Sequence, residues 1–104
     1  MDKYSVEITE PAEYDLLEIK RYISEELYEP KIAERIISNI ADAIFELEDM
    51  PFRYALVSDE RLALCGMRKL IIDNYIVFYI VDERIRTVTI VRVLYVRRNW
   101  ADLL

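Results

Sequence analysis

The stretch GMRKLIIDNYIVFYIVDERIRTVTIVRVLY, residues 66–95, decides the fold. Three runs of apolar, β-branched and aromatic residues are separated by short polar breaks. Gly66–Ile72 reads as a strand, Asp73-Asn74 as a turn, and Tyr75–Val81 as a second strand. Asp82–Arg84 then makes a turn, and Arg86–Tyr95 a third strand. Asp and Asn suit such turns because they tolerate left-handed angles and hydrogen-bond to nearby backbone. The middle run is apolar at every position, as expected of a central strand buried on both faces. In the last run Val88 and Ile90 are in phase with each other but out of phase with Val93 and Tyr95. A bulge near Val91-Arg92 reconciles them.

The chain before this sheet is helical, apart from its start. Tyr4, Val6 and Ile8 alternate with Lys3, Ser5 and Glu7, which predicts a half-buried strand over residues 3–9. Thr9 or Glu10 followed by Pro11 marks a helix start. Ala12, Leu16, Ile19, Ile23 and Leu27 then form one stripe of a helix running from about Pro11 to Tyr28. Glu29-Pro30 breaks it. Ala33, Ile36, Ile37, Ile40, Ile44 and Leu47 form the stripe of a second helix, from Pro30 to about Asp49, ended by Met50-Pro51. Two helices joined this tightly fold back as a hairpin on one face of the sheet. Residues 52–57 read as a short strand or an irregular connection, and Trp100–Leu104 as a closing helical turn. The expectation is one α+β domain over residues 1–104, with an N-terminal strand, a helical hairpin, then three or four mostly antiparallel strands, and a second sheet face left partly open.

Composition narrows the chemistry. Of 104 residues, 54% are apolar and one is glycine, which suits a compact fold and argues against disorder. One cysteine and no histidine exclude an internal disulfide, a Cys/His zinc site and a histidine general base. No metal or cofactor is expected. The N-terminus lacks an apolar signal region, and no apolar run approaches the ~20 residues needed to span a bilayer. A cytoplasmic protein without membrane contact follows as the expectation.

The net charge of −6 is unevenly placed. Residues 1–50 hold 5 Lys/Arg against 14 Asp/Glu, and residues 51–104 hold 9 against 6. The cationic surplus gathers near Arg53, Arg61, Arg68, Lys69, Arg92, Arg97 and Arg98, with Tyr79, Tyr95 and Trp100 in the same half. Arginine forks match phosphate oxygens, and rings stack on unpaired bases. If these side chains converge on an open face, they suit single-stranded RNA. If they pair with the acidic helices, they are structural.

The segments GMRKLIIDNYIVFYIVDE (66–83) and TVTIVRVLYVRRNWADLL (87–104) resemble the RelE/ParE family of bacterial toxins. The matching elements are Gly-x-Arg-x-Leu, an Asn-Tyr turn, Phe-Tyr-x-Val and a last strand ending in an Arg-Arg pair. The resemblance extends over the helical hairpin. It implies the toxin of a type II toxin–antitoxin module, neutralised by a cognate antitoxin. The activity expected from the resemblance is that of the RelE kind, ribosome-dependent cleavage of mRNA in the ribosomal A site without metal. The alternatives are a ParE-like, non-enzymatic inhibitor of DNA gyrase and a non-toxic, antitoxin-binding member. For the ribonuclease, Arg68, Arg92, Tyr95 and Arg97 take the catalytic positions: arginines on the phosphorane, Tyr95 as proton donor or stacking ring. Arg53, Arg61, Lys69, Arg98 and Trp100 take RNA- or target-binding positions. Val96 and Asn99 replace the glycine and aspartate of the pattern, and valine disfavours positive φ.

Overall fold

The computed structural model describes residues 3–104. Four strands form one sheet: β1 (Ser5–Ile8), β2 (Met67–Ile72), β3 (Tyr75–Asp82) and β4 (Thr87–Tyr95). The spatial order is β1-β4-β3-β2, with β1 parallel to β4 and the other pairs antiparallel. Among the described residues three α-helices accompany them, α1 (Glu10–Arg21), α2 (Pro30–Glu46) and α3 (Glu60–Leu64), and a short 3-10 turn, Trp100–Asp102, closes the chain. The α+β arrangement agrees with the sequence expectation. β1 returns to the sheet through a helical crossover, which is what a parallel pair requires.

α1 begins where expected. The Thr9 hydroxyl accepts from the Ala12 N–H at 3.2 Å, and proline stands in the first turn. Its end is different. The α-helix stops at Arg21 and continues as a π-helical turn, Tyr22–Glu26, whose register shift lets Ile23 bury among the core side chains. Tyr28 then takes φ 55°, which breaks the helix just before Pro30.

The helix-side core gathers Ala12, Ile23, Ala33, Ile40, Ile44 and Leu47 against Leu70, Tyr75, Val77, Tyr79, Val88, Ile90 and Val93. Each large aliphatic side chain buried here contributes roughly 2 kcal/mol by transfer from water. Tyr79, fully buried, donates its hydroxyl to the Pro51 carbonyl at 2.9 Å.

The second sheet face is not open, which corrects the sequence reading. Val57, Leu62, Met67, Ile76, Phe78 and Leu94 form a second buried cluster, with Trp100, Leu103 and Leu104 packed on it. α3, absent from the sequence reading, supplies Leu62. It is capped by Asp59, whose carboxylate accepts from the Leu62 N–H at 3.1 Å. Gly66 ends this connection at φ +83°, an angle that disfavours any side chain. Residues 52–57 make no regular strand, and Leu56 forms a single bridge to Arg68.

The bulge falls where the phase break placed it. Phe78 faces Arg92 and Tyr79 faces Ile90, so Val91 is the extra residue of β4. Among the described residues no helix is long and apolar enough to cross a membrane.

Candidate functional site

β1 ends at Ile8, but β4 runs on to Tyr95 with its outer edge unpaired by any strand. α1 crosses that edge and delivers Asp15. The Asp15 carboxylate is only 7% exposed. It receives three hydrogen bonds: Arg92 Nε at 2.7 Å, Arg92 Nη2 at 2.8 Å and the Val93 backbone N–H at 3.0 Å. Arg92 Nη1 also donates to the Leu103 carbonyl at 3.3 Å. Its bond to Asp15 raises the Arg92 pKa above its ordinary value, against a smaller opposing effect of burial. The guanidinium is thus permanently charged and internally neutralised.

Arg68 is engaged elsewhere. Its Nη1 donates to the Tyr54 carbonyl at 2.6 Å, and the guanidinium lies 5.1 Å from the Phe52 ring centroid. Arg68 shares a rung with Tyr79, and Arg92 shares the next rung with Phe78. Successive rungs project to opposite faces. Arg68 therefore sits on the helix side and Arg92 on the side of Phe78. The expectation that these two arginines meet on one open patch is not met, because alternation and two separate internal partners hold them apart.

The remaining positions divide along the same lines. Tyr95 packs edge-on against Tyr75, with centroids 5.8 Å apart. Burial, and next the neighbouring Tyr95, push the Tyr75 phenol up. Arg97 and Arg98 follow Tyr95 on the surface and make no ion pair among the described residues. The Tyr75–Tyr95 rung lies four rungs from Arg68, roughly 13 Å along the strands. Trp100 tilts onto Phe78 at 5.2 Å, so its half-buried ring covers part of the sheet. Arg53 stands 3.8 Å from Glu46 and over the Tyr54 ring. Arg61 is exposed on α3, and Lys69 is half-buried on the Phe78 side. Of these nine residues Arg92, Tyr95 and Arg98 line one concavity, and the other six lie outside it.

Both departures from the family pattern are accommodated. Val96 is absent from the positive-φ residues, and its N–H donates to the Asn74 carbonyl at 2.8 Å. Asn99 Nδ2 donates to Asp102 at 2.7 Å.

The concavity the structure does form was missed by the sequence reading. It lies between α1, the π-turn and α2 on one side and Val93–Tyr95 on the other, with a volume of about 820 Å³. Tyr14, Ile19, Tyr22, Leu27, Ile32, Ile36, Tyr75 and Arg98 contribute to its walls. Its sequence signal is the unusual exposure of apolar residues on the hairpin: Tyr14, Leu17, Tyr22, Leu27 and Ile32 all reach solvent. Helical periodicity assigned Leu27 to the core and was silent on the rest.

Solved structures that share the fold include two toxin–antitoxin systems. The toxin–antitoxin complex RelBE2 from Mycobacterium tuberculosis has a chain with TM-score 0.67 and 23% identity, covering 89% of this chain and 98% of its own. The chromosomal ParDE system from P. aeruginosa has one with TM-score 0.75 and 20% identity, covering 93% and 100%. No curated protein sequence matches. The sequence profile described as ParE toxin of type II toxin–antitoxin system, parDE, matches residues 6–100. With nearly the whole chain aligned to that profile, on a fold shared with both solved toxin systems, this protein belongs to the ParE family of type II toxin–antitoxin toxins.

Proposed function

We propose that the chain is a toxin that acts by binding a protein target, with DNA gyrase as the target, and that a cognate antitoxin holds it inactive. The observation that carries this reading is the Asp15–Arg92 fork. Arg92 is the position that a ribonuclease reading assigns to the phosphate. Here its Nε and Nη2 are spent on a buried carboxylate. A phosphate arriving there would meet a guanidinium already neutralised, beside a negative charge. Arg68 on the opposite face offers no second half of an oxyanion clamp. With no histidine in the chain, no side chain titrating near neutral pH supplies a general base. The antitoxin partner is supported by the family and by the two solved complexes of this fold.

Purified toxin should inhibit gyrase supercoiling and leave mRNA intact on programmed ribosomes. Cleavage of A-site codons with supercoiling unaffected would overturn the proposal in favour of the nuclease.

A further inference from the structure

α1 carries two apolar stripes, and the fold buries one of them. Ala12, Leu16 and Ile19 turn inward to the helix-side core. Tyr14 and Leu17 lie on the other side of the helix and are 63% and 66% exposed. Apolar residues scattered singly on a surface need no explanation, but these two are neighbours on one face. Glu10, Tyr14, Leu17 and Arg21 follow one another at spacings of four, three and four, and all four are exposed. That is the spacing of a coiled-coil seam.

The seam is complementary to its own reversed copy. Antiparallel pairing sets Tyr14 on Leu17 of the second copy, Leu17 on its Tyr14, and each Glu10 beside an Arg21. All of these contacts obey one two-fold axis at the middle of α1. Glu13 and Lys20 flank the seam on the same side, and in this register each faces the other across the axis. Neither has an ion partner among the described residues. Arg21 is already met by Glu18, Glu25 and Glu26, so the Glu13–Lys20 pairs carry the charge matching. A parallel copy would instead stack like charges on one another, because α1 is acidic in its first turn and basic in its last. It would also align the two helix dipoles.

We propose that the outer face of α1 is a homodimer interface, in which two copies of the chain pair their α1 helices antiparallel around Tyr14 and Leu17. A pair of 12-residue helices makes a small contact, at the low end for specific association. The dimer is therefore weak, with a dissociation constant on the order of tens of micromolar.

The test is sedimentation of the purified toxin, freed of antitoxin, from about ten to about three hundred micromolar, a range chosen to bracket that constant. The sedimenting mass should rise from that of one chain toward that of two. Leu17→Asp should weaken association at least tenfold, roughly the loss of one apolar contact in each half of the interface. Its urea midpoint at low concentration should be unchanged, because the side chain is exposed. Glu13→Lys and Lys20→Glu should each weaken association about threefold. The variant carrying both exchanges should regain most of that loss, since the pairs re-form with their signs reversed. Should Leu17→Asp lower the urea midpoint, the charge exchanges decide alone. A chain that stays monomeric throughout, a dimer indifferent to Leu17→Asp, or a double exchange no better than the single ones overturns the proposal. If the chain sediments as one copy and Leu17→Asp abolishes antitoxin binding or gyrase inhibition, the face belongs to that partner and the proposal is likewise overturned.

Discussion

Asp15 and Arg92, 77 residues apart in the chain, are joined by two hydrogen bonds of 2.7 and 2.8 Å, and the Val93 N–H completes the carboxylate's shell. A buried carboxylate with this many donors ties α1 to the last strand. Asp15→Asn removes the charge and one acceptor while keeping the shape. It should cost about 3 kcal/mol, because Arg92 is left partly buried and unpaired. Arg92→Lys keeps the charge without the fork and should cost about 1 kcal/mol. Urea midpoints at unchanged slope check both, and a larger loss for the lysine variant would contradict the assignment.

Trp100 closes the second face against Phe78. Trp100→Ala uncovers part of that cluster and should lower stability by about 2–3 kcal/mol, read by thermal or urea unfolding. An unchanged midpoint would mean the tail lies on the sheet without holding it.

Gly66 meets nothing within 4 Å of an added Cβ, so only its φ of +83° matters. Gly66→Ala should cost about 1 kcal/mol through backbone strain alone. Gly66→Asn, better tolerated in the left-handed region, should recover part of it. Equal losses for the two would point to a contact rather than to the angle.

Burial pushes the Tyr79 phenol up, and the protonated hydroxyl holds the Pro51 carbonyl. The sign follows from the ionised form being favoured in the unfolded chain. Stability is fully present below the ordinary tyrosine value near ~10 and falls as pH rises from there toward the higher folded value. Tyr79→Phe should cost about 1 kcal/mol at neutral pH and flatten the alkaline decline. Stability measured between neutral and alkaline pH separates the two effects.

The strands were legible because each carries its own local signal. β2, β3 and β4 begin and end within a residue of the positions their turn residues mark, and the bulge shows as a change of phase at Val91. The pairing of β1 was not legible. Nothing in KYSVEIT distinguishes parallel from antiparallel, since that is fixed by where α1 and α2 return the chain. α3 is too short to show periodicity. Asp15 was invisible for a different reason. A carboxylate beside an apolar stripe reads as a solvated face, and its partner is 77 residues away. The same distance hid the fate of the arginines. Sequence counts charges, but only the register says that Arg68 and Arg92 leave opposite sides of the sheet.

The position of β4 between β1 and β3 bears on when the toxin comes into being during translation. Residues 5–8 have no strand partner until residues 87–90 exist, and Thr9 and Asp15 wait for 91–93. Contacts of such long sequence separation form late. A nascent chain emerging from the ribosome can assemble its helices early, but it cannot close its sheet until nearly all of it has been made. Any product cut short before β4 lacks the strand on which both ends of the molecule converge, so a prematurely terminated chain cannot close this fold.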